Sequence, residues 1–268
     1  MLQILKKPSK ELRGLIVAPT RELAKQINLE LLELSKGKPF KTLFLSESTS
    51  SALTNMTNQK SRYDIIITTP MRLLKFIREK VISLSTVKFF VLDEVDKLFE
   101  MGFIHQIDEI IASLSKDCQK TFFSATVPSE VSKLADTVLK SPFKLTIQSG
   151  AIPRKTISQE LVYTATEDGK LVFLKNLIMK GFEPPVLIFV ENKERAEELF
   201  KELVFHNINV DFITSDRTKT QRDRVVENFR KGNIWVLIAT DVLGRGVDFK
   251  GIKLVINYDF PKSNEEYM

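Results

Sequence analysis

Residues 87–96 read VKFFVLDEVD, an apolar run that ends in three carboxylates within four positions. The apolar part predicts a strand at residues 89–92, buried on both faces of a parallel sheet. Asp93 and Glu94 would then lie at the carboxyl end of that strand, where open α/β sheets bind ligands. Such a pair can hold Mg²⁺ and orient a water molecule, but acids also suit the start of a helix. The four residues alone leave both interpretations open.

Similar apolar runs recur through the first half of the chain, separated by stretches with apolar residues three or four positions apart. Strands that alternate with such helices predict a parallel α/β sheet. The other predicted strands of this half are residues 15–18, 42–45, 65–68 and 121–124.

The alternation restarts after residues 141–153, which contain two prolines, a glycine and little helical periodicity. We therefore predict two α/β lobes, residues 1–148 and 156–268, joined by a linker at residues 149–155. Trp235 opens an apolar run, which indicates a core position. The strands predicted for the second lobe are residues 159–163, 186–190, 210–214, 235–239 and 254–258.

Composition excludes several classes of function. No apolar run approaches the ~20 residues of a membrane helix, so no membrane partner is expected. The single cysteine, Cys118, can form neither an internal disulfide nor a zinc site on its own. The net charge of +6 and pI near 9.2 fit a polyanionic partner.

Three further polar clusters follow predicted strands: PTREL at residues 19–23, TPMR at residues 69–72 and SAT at residues 124–126. Each also opens a predicted helix. Free backbone N–H groups, Thr hydroxyls and Arg side chains at such positions can hold phosphate oxygens. Taken singly, each of these clusters is more typical of an ordinary helix cap.

Taken together and in this order, the clusters resemble the motifs of the DEAD-box RNA helicases. The second half continues the resemblance with QRDR at 221–224, FRKG at 229–232 and ATDVLGRGVD at 239–248. The resemblance implies two RecA-like lobes, each a mostly parallel sheet flanked by helices. It also implies ATP and Mg²⁺ as cofactors, and ATP binding that closes the lobes over single-stranded RNA to unwind short duplexes locally. RNA would be held through its backbone, with low sequence specificity.

The resemblance also assigns roles to individual residues. Asp93 would hold Mg²⁺, Glu94 would position the attacking water, and Asp96 would bond toward Ser124 and Thr126 and couple hydrolysis to lobe closure. Gly246 and Asp248 would face the nucleotide, Asp248 near its ribose. The implied RNA contacts are Pro19, Thr20, Arg21, Thr69 and Arg72 in the first lobe, and Gln221, Arg224, Thr240 and Asp241 in the second.

Finer matches resemble the nucleolar members that act in assembly of the small ribosomal subunit. They imply a nucleolar, monomeric helicase that acts on pre-rRNA, with a possible protein cofactor. The matching stretches are DKLFE at 96–100, KGFEPPV at 180–186, GNIWV at 232–236 and DFKG at 248–251.

The chain also departs from the family pattern. It contains no G-x-x-x-x-G-K-[ST] phosphate loop, no glutamine motif and no H-R-x-G-R-x-G-R arginine motif. The expectation is therefore that both lobes are incomplete, with exposed sheet edges, and that these residues alone hydrolyse ATP feebly or not at all. Val95 replaces the signature alanine, and residues 46–51 replace a common Gly-Gly pair.

Two other interpretations stay open. The chain could be a non-enzymatic remnant that binds RNA or a protein partner. It could also be a DNA helicase of the same superfamily, which Asp96 disfavours because DNA-acting relatives more often have histidine there.

Overall fold

The structure is a computed structural model that describes residues 1–5, 7–9, 11–38, 40–46, 63–147, 157–240, 249, 251–262 and 267, with only the backbone of Lys219. The chain divides into two compact units, Met1–Lys144 and Leu145–Met268. The predicted linker at residues 149–155 lies outside the described residues. Each unit is described by itself below.

The first unit is built on a parallel sheet of five strands: β1 Gly14–Val17, β2 Thr42–Phe44, β3 Ile65–Thr68, β4 Phe89–Leu92 and β5 Gln119–Phe122. Their order is β2-β3-β1-β4-β5. Every residue of β1 and β3 is buried. This matches the sequence prediction of apolar strands covered by helices on both faces.

Helices cover both faces of this sheet. Side chains that alternate along β1 pack into two separate clusters, with Leu15 and Val17 in one and Ile16 in the other. The helices are α1 Leu2–Leu5, α2 Arg21–Leu34, α3 Pro70–Arg78, α4 Val95–Glu100, α5 Ile104–Ala112 and α6 Ser129–Val138.

The second unit contains a parallel sheet of four strands: β6 Val186–Phe189, β7 Val210–Ile213, β8 Val236–Ala239 and β9 Leu254–Asn257. Their order is β7-β8-β6-β9. Its helices are α7 Glu167–Met179, α8 Lys193–Phe205 and α9 Lys219–Arg230. The predicted fold class, two mostly parallel sheets flanked by helices, is therefore confirmed.

Three local predictions are wrong. Residues 159–163 form no strand, and Leu161 and Tyr163 are 83% and 92% exposed, because no neighbouring strand pairs with this segment among the described residues. Strand β5 begins at Gln119, two residues before its predicted start, so Ser124 lies beyond the strand. Trp235 is 47% exposed rather than in the core, because it precedes β8 at the end of the sheet.

Among the described residues, no helix has the length and apolar character that crossing a bilayer would require.

Candidate functional site

The polar loops of the first unit meet at the carboxyl edge of its sheet. Strands β3, β1, β4 and β5 are consecutive neighbours and parallel, so the loops that follow them leave from one edge. Backbone hydrogen bonds continue the pairing into these loops: Asp93 donates to Val17, and Val95 donates to Phe123, each at 3.0 Å. The acidic loop, defined as residues 93–96 where β4 passes into the first turn of α4, is thereby fixed between its neighbours.

Asp96 is buried, at 3% exposure, and its charge is fully engaged. Its Oδ2 accepts from the hydroxyl of Thr126 at 2.7 Å and from the backbone N–H of Thr126 at 2.9 Å. Its Oδ1 accepts from the N–H of Lys97 at 3.0 Å, and its own N–H donates to Oγ of Ser124 at 3.1 Å. The structure thus brings Asp96, Ser124 and Thr126 together across two loops.

The hydrogen bonds of Asp96 decide its protonation. Burial by itself would raise the pKa of this carboxyl. The bonds from Thr126, Ser124 and Lys97 outweigh burial and hold the pKa below its ordinary value. Asp96 is therefore ionised at neutral pH and links the segments after β4 and β5.

Asp93 and Glu94 have the opposite electrostatics. Burial is the main cause that raises the pKa of both carboxyls, and repulsion within the acidic loop adds to it. Asp93 Oδ1 accepts one bond, from the N–H of Glu94 at 3.1 Å, which offsets part of the effect. These two half-buried carboxylates lack the neutralisation that Asp96 has, so a bound cation would stabilise their charge.

The backbone at Glu94 is strained. Its φ of 48° and ψ of 58° lie in the left-handed region, which costs a non-glycine residue roughly 1–2 kcal/mol. Glu94 is also the N-cap of α4, yet its side chain makes no capping hydrogen bond. A strained residue with an unused carboxylate at a strand end is typical of a functional position.

The acidic loop fits Mg²⁺ only together with a ligand. Among the residues that the structure describes, no group of three or more Asp, Glu, His or Cys could hold a metal ion. Mg²⁺ usually retains several waters and takes one or two carboxylates plus phosphate oxygens. Asp93 and Glu94 supply the carboxylates of such a shell, and a nucleotide would supply the phosphates.

Thr20 and Thr69, which precede helices α2 and α3, differ in the hydrogen bonds that their hydroxyls make. Thr20 is the N-cap of α2, and its hydroxyl accepts from the N–H of Leu23 at 3.2 Å. Thr69 is the N-cap of α3 but makes no side-chain capping bond, with Pro70 as the first helical residue. The hydroxyl of Thr20 thus serves the helix, whereas that of Thr69 is not engaged in capping.

Both arginines implied as RNA contacts in the first unit are partly buried. Within the described part of the chain, the buried Nε of Arg21 has no hydrogen-bond acceptor. Arg72 donates from Nη2 to the carbonyl of Ser46 at 3.0 Å and lies 5.3 Å from the centre of the Phe76 ring. Arg72 therefore holds the start of the segment in which the chain lacks the common Gly-Gly pair. Pro19 is buried two residues after β1.

In the second unit, Thr240 directly follows β8 and is buried, with its N–H 3.4 Å from the carbonyl of Ile213. Gln221 closes a capping box, because its Oε1 accepts from the N–H of Thr218 at 2.8 Å. Its side-chain oxygen therefore already serves α9. Asp241, Gly246 and Asp248 lie outside the described residues, so their assigned roles stay predictions.

Arg222 is a candidate that the sequence prediction missed. It is half-buried on α9, and its buried Nε finds no acceptor among the described residues, whereas Arg224 is exposed. Residues two apart on a helix point in nearly opposite directions, so only one of these arginines can face inward. The sequence QRDR alone does not show which of the two arginines faces inward.

Comparison with known proteins gives the same family for both halves. The family model described as DEAD/DEAH box helicase matches residues 1–134, and that described as helicase conserved C-terminal domain matches residues 169–268. The chain is 46% identical over 270 residues to the probable ATP-dependent RNA helicase ddx52 of Dictyostelium discoideum. That match covers 100% of this chain and 40% of the relative.

A second relative and a solved structure agree with this result. The ATP-dependent RNA helicase ROK1 of Kluyveromyces lactis is 44% identical over 265 residues, which cover 96% of this chain and 46% of that protein. The chain thus spans less than half the length of these curated relatives. The structure of S. cerevisiae Dbp5 bound to RNA and ADP BeF3 is similar with a TM-score of 0.84 and 28% identity, over 98% of this chain and 67% of that one.

Proposed function

This chain belongs to the DEAD/DEAH box helicase family, and we propose that it forms the core of an ATP-dependent RNA helicase, an RNA-stimulated ATPase that unwinds short RNA duplexes locally. One observation carries this proposal. The three carboxylates of a single loop are divided into one that is neutralised by hydrogen bonds, Asp96, and two that are not, Asp93 and Glu94. A purely structural loop has no reason to keep two uncompensated half-buried charges.

Each carboxylate has a separate task in this proposal. Asp93 holds Mg²⁺, which when bound offsets the negative charge of the nucleotide phosphates. Glu94 orients the attacking water and accepts its proton, a role that its raised pKa favours. Asp96 couples the position of this loop to that of Ser124 and Thr126, because it is hydrogen-bonded to both residues.

The RNA is held through its backbone in this proposal. Arg21, Thr69 and Arg72 in the first unit, with Thr240 and Asp241 in the second, supply hydrogen-bond donors and acceptors suited to phosphate and 2′-OH groups. Such contacts carry little sequence information. The similar structure of S. cerevisiae Dbp5, which is bound to RNA and ADP BeF3, supports this part of the proposal.

We further propose that the substrate is pre-rRNA and the site of action the nucleolus. Support comes from the stretches at 96–100, 180–186, 232–236 and 248–251, which resemble nucleolar helicases of small-subunit assembly. The similar proteins ddx52 and ROK1 are named as ATP-dependent RNA helicases.

A chimaera tests the catalytic part. The parts of the Dictyostelium relative that lie outside its match to this chain would be joined before residue 1 and after residue 268, and we expect them to contain the phosphate loop and the arginine motif of the family. We expect RNA-stimulated ATP hydrolysis from the chimaera. Glu94→Gln should lower that rate by about 10² or more, because it removes the base without changing the shape of the loop, and should leave RNA binding intact.

Two controls make the result specific. Glu100→Gln lies at the exposed end of the same helix and should leave turnover unchanged. Residues 1–268 alone should show no hydrolysis. Unchanged turnover in Glu94→Gln would rule out the role given to Glu94. A chimaera that binds RNA but never hydrolyses ATP would favour the non-enzymatic alternative.

A further inference from the structure

A row of polar residues crosses the amino edge of the first sheet, opposite the acidic loop. One residue from each strand start takes part, and backbone groups join them. Lys88 donates to the carbonyl of Arg13 at 2.8 Å, Arg13 to that of Asp64 at 2.9 Å, and Asp64 to that of Lys41 at 2.8 Å. Gln119 donates to Lys88 at 2.9 Å. With strands about 4.8 Å apart, the five positions span roughly 19 Å.

Two cations of this row reach solvent, Lys41 and Lys88. A third lysine, Lys116, lies three residues before β5. These three residues are called the amino-edge lysines. All three side chains are exposed, and none forms an ion pair with any described residue. The carbonyl of Lys116 accepts from Nζ of Lys140 at 3.3 Å, which brings a fourth ammonium to the same edge.

The acids near this edge do not cancel its charge. Asp64 is completely buried, and its carboxylate is occupied by Arg13 at 2.6 Å, the N–H of Ser9 at 2.7 Å and the N–H of Lys41 at 3.0 Å. Glu11 and Asp117 are the exposed acids that lie closest along the chain. The edge therefore presents an excess of positive charge to solvent.

The second unit shows that the fold does not require this charge. The corresponding row there runs through Asn209, Trp235, Pro185 and Lys253, joined by the same kind of backbone bonds. Its single cation, Lys253, is paired with Glu183 at 3.1 Å. The first unit, residues 1–144, contains 22 Lys and Arg against 16 Asp and Glu, whereas residues 145–268 contain 18 of each. The net charge of +6 thus belongs entirely to the first unit.

Helix dipoles explain only part of the pattern. Cations after the last turn of a helix, such as Lys38 and Lys80, are favoured there for stability alone. Lys41 and Lys88 instead directly precede strands, where no helix end attracts them. A lysine can also protect an edge strand from pairing, but β4, which follows Lys88, is an interior strand.

We propose that the amino-edge lysines bind the phosphates of an RNA segment distinct from the strand held at the carboxyl edge. This inference rests on the proposed function, which makes RNA the ligand. Flexible exposed ammonium groups over roughly 19 Å suit several successive phosphates without reading bases. The row itself has no exposed apolar side chain of the kind that anchors a protein interface. A helicase with this second contact would hold the duplex flanking the strand on which it acts.

Two variants of the full chain with equal charge change test the proposal. The first is Lys41→Gln/Lys88→Gln/Lys116→Gln. The second, Lys180→Gln/Lys201→Gln/Lys253→Gln, alters exposed lysines of the second unit, including the one at its amino edge. The probes are a single strand of roughly ten nucleotides, and a hairpin of about 20 base pairs with that strand as its tail. Binding is measured by fluorescence anisotropy from about 50 to 300 mM KCl.

We expect the first variant to bind the tailed hairpin about tenfold more weakly than the unaltered chain, with the slope of log K against log salt shallower by roughly 2–3. Its affinity for the short strand should change by less than about twofold, as should both affinities of the second variant. Thermal unfolding checks that the variants remain folded. If the first variant proves unstable, Lys88→Gln alone should give about a third of the slope change.

Equal losses from both variants would show a general effect of net charge and overturn the proposal. If the first variant bound the tailed hairpin as well as the unaltered chain does, the proposal would also be overturned, and an acidic protein would become the better candidate partner for these lysines. Failure of the unaltered chain to bind the hairpin would overturn it as well. Failure of the proposed function looks different: the short strand would not bind, while the loss at the hairpin in the first variant would persist.

Discussion

The two edges of the first sheet use their carboxylates in opposite ways. At the amino edge, Asp64 is completely buried, and Arg13 and two backbone N–H groups satisfy its charge. At the carboxyl edge, Asp93 and Glu94 are half-buried, and burial raises the pKa of both. One edge has compensated its buried charge within the protein, and the other keeps charge that a ligand would compensate.

In this sheet, the carboxylate that stabilises the fold lies at the amino edge, and the carboxylates proposed to act on a ligand lie at the carboxyl edge. Asp64 connects segments that are distant in sequence, since its partners Ser9 and Arg13 precede β1 and its partner Lys41 precedes β2. Asp93 and Glu94 have no comparable set of donors. Asp96 shows that the carboxyl edge can satisfy a carboxylate when the role requires a fixed contact.

The largest effect is expected from breaking the satisfied edge. Asp64→Ala should lower the free energy of unfolding by about 3–5 kcal/mol, because it leaves the largely buried guanidinium of Arg13 without its partner. Chemical denaturation of the full chain measures this change. Glu109→Ala is the matched control, since it removes an exposed ion pair with Arg78 at 2.6 Å and should have little effect. Equal effects from the two variants would mean that burial of the pair does not matter.

The second effect concerns the one satisfied carboxylate of the acidic loop. Thr126→Val removes the hydroxyl bond to Asp96 but keeps the backbone bond, and should cost about 1.5–3 kcal/mol at neutral pH. The lowered pKa of Asp96 means that its contribution is present above the ordinary carboxyl range and is lost as pH falls through the lowered value. The cost of Thr126→Val should therefore shrink in acid.

Urea unfolding at several pH values measures this dependence. Thr137→Val is the matched control, because the one described hydrogen bond of the Thr137 hydroxyl is exposed and goes to the carbonyl of Lys133 within its own helix. A cost of Thr126→Val that stayed constant from neutral to acid pH would show that the ionised form of Asp96 does not depend on Thr126.

Much of the fold could be read from the sequence, because buried parallel strands are continuous apolar runs. Strands β3 and β4 were predicted at their observed bounds for this reason. The prediction failed where an apolar run was not paired in the sheet, or where a paired strand was not apolar. Residues 159–163 have strand-like composition without a neighbouring strand, and β5 carries the polar Gln119 and Lys120, so its first half gave no apolar signal.

The site was predictable to a smaller extent. The position of Asp93 and Glu94 at a strand end followed from the apolar run before them, and the bonds from Asp96 toward Ser124 and Thr126 matched what the family resemblance implied. The left-handed backbone of Glu94 was not predictable, since tertiary contacts impose it against local preference. Asp64 gave no signal either, because an acid before a strand resembles an ordinary turn residue and its partner Arg13 lies 51 positions away.

The smallest effect should appear where the carboxyl edge keeps its charge uncompensated. Because burial and the neighbouring acids raise the pKa of Glu94, the unfolded chain loses this proton at lower pH than the folded one. Ionisation of Glu94 therefore costs stability as pH rises through the carboxyl range. Glu94→Gln removes that cost, and at pH 7 we expect it to raise the unfolding midpoint by about 1–3 °C.

The pH profile distinguishes this cause from better packing. Below the ordinary glutamate pKa, Glu94 is protonated in both states, so the variant and the unaltered chain should unfold at the same temperature. Glu30→Gln, on the exposed side of α2, should give no difference at any pH. A gain for Glu94→Gln that persisted in acid would assign it to packing instead. If Glu94→Gln raised the unfolding midpoint only near neutral pH, the substitution expected to slow hydrolysis would also stabilise the fold. Glu94 would then be retained for its chemistry rather than for stability.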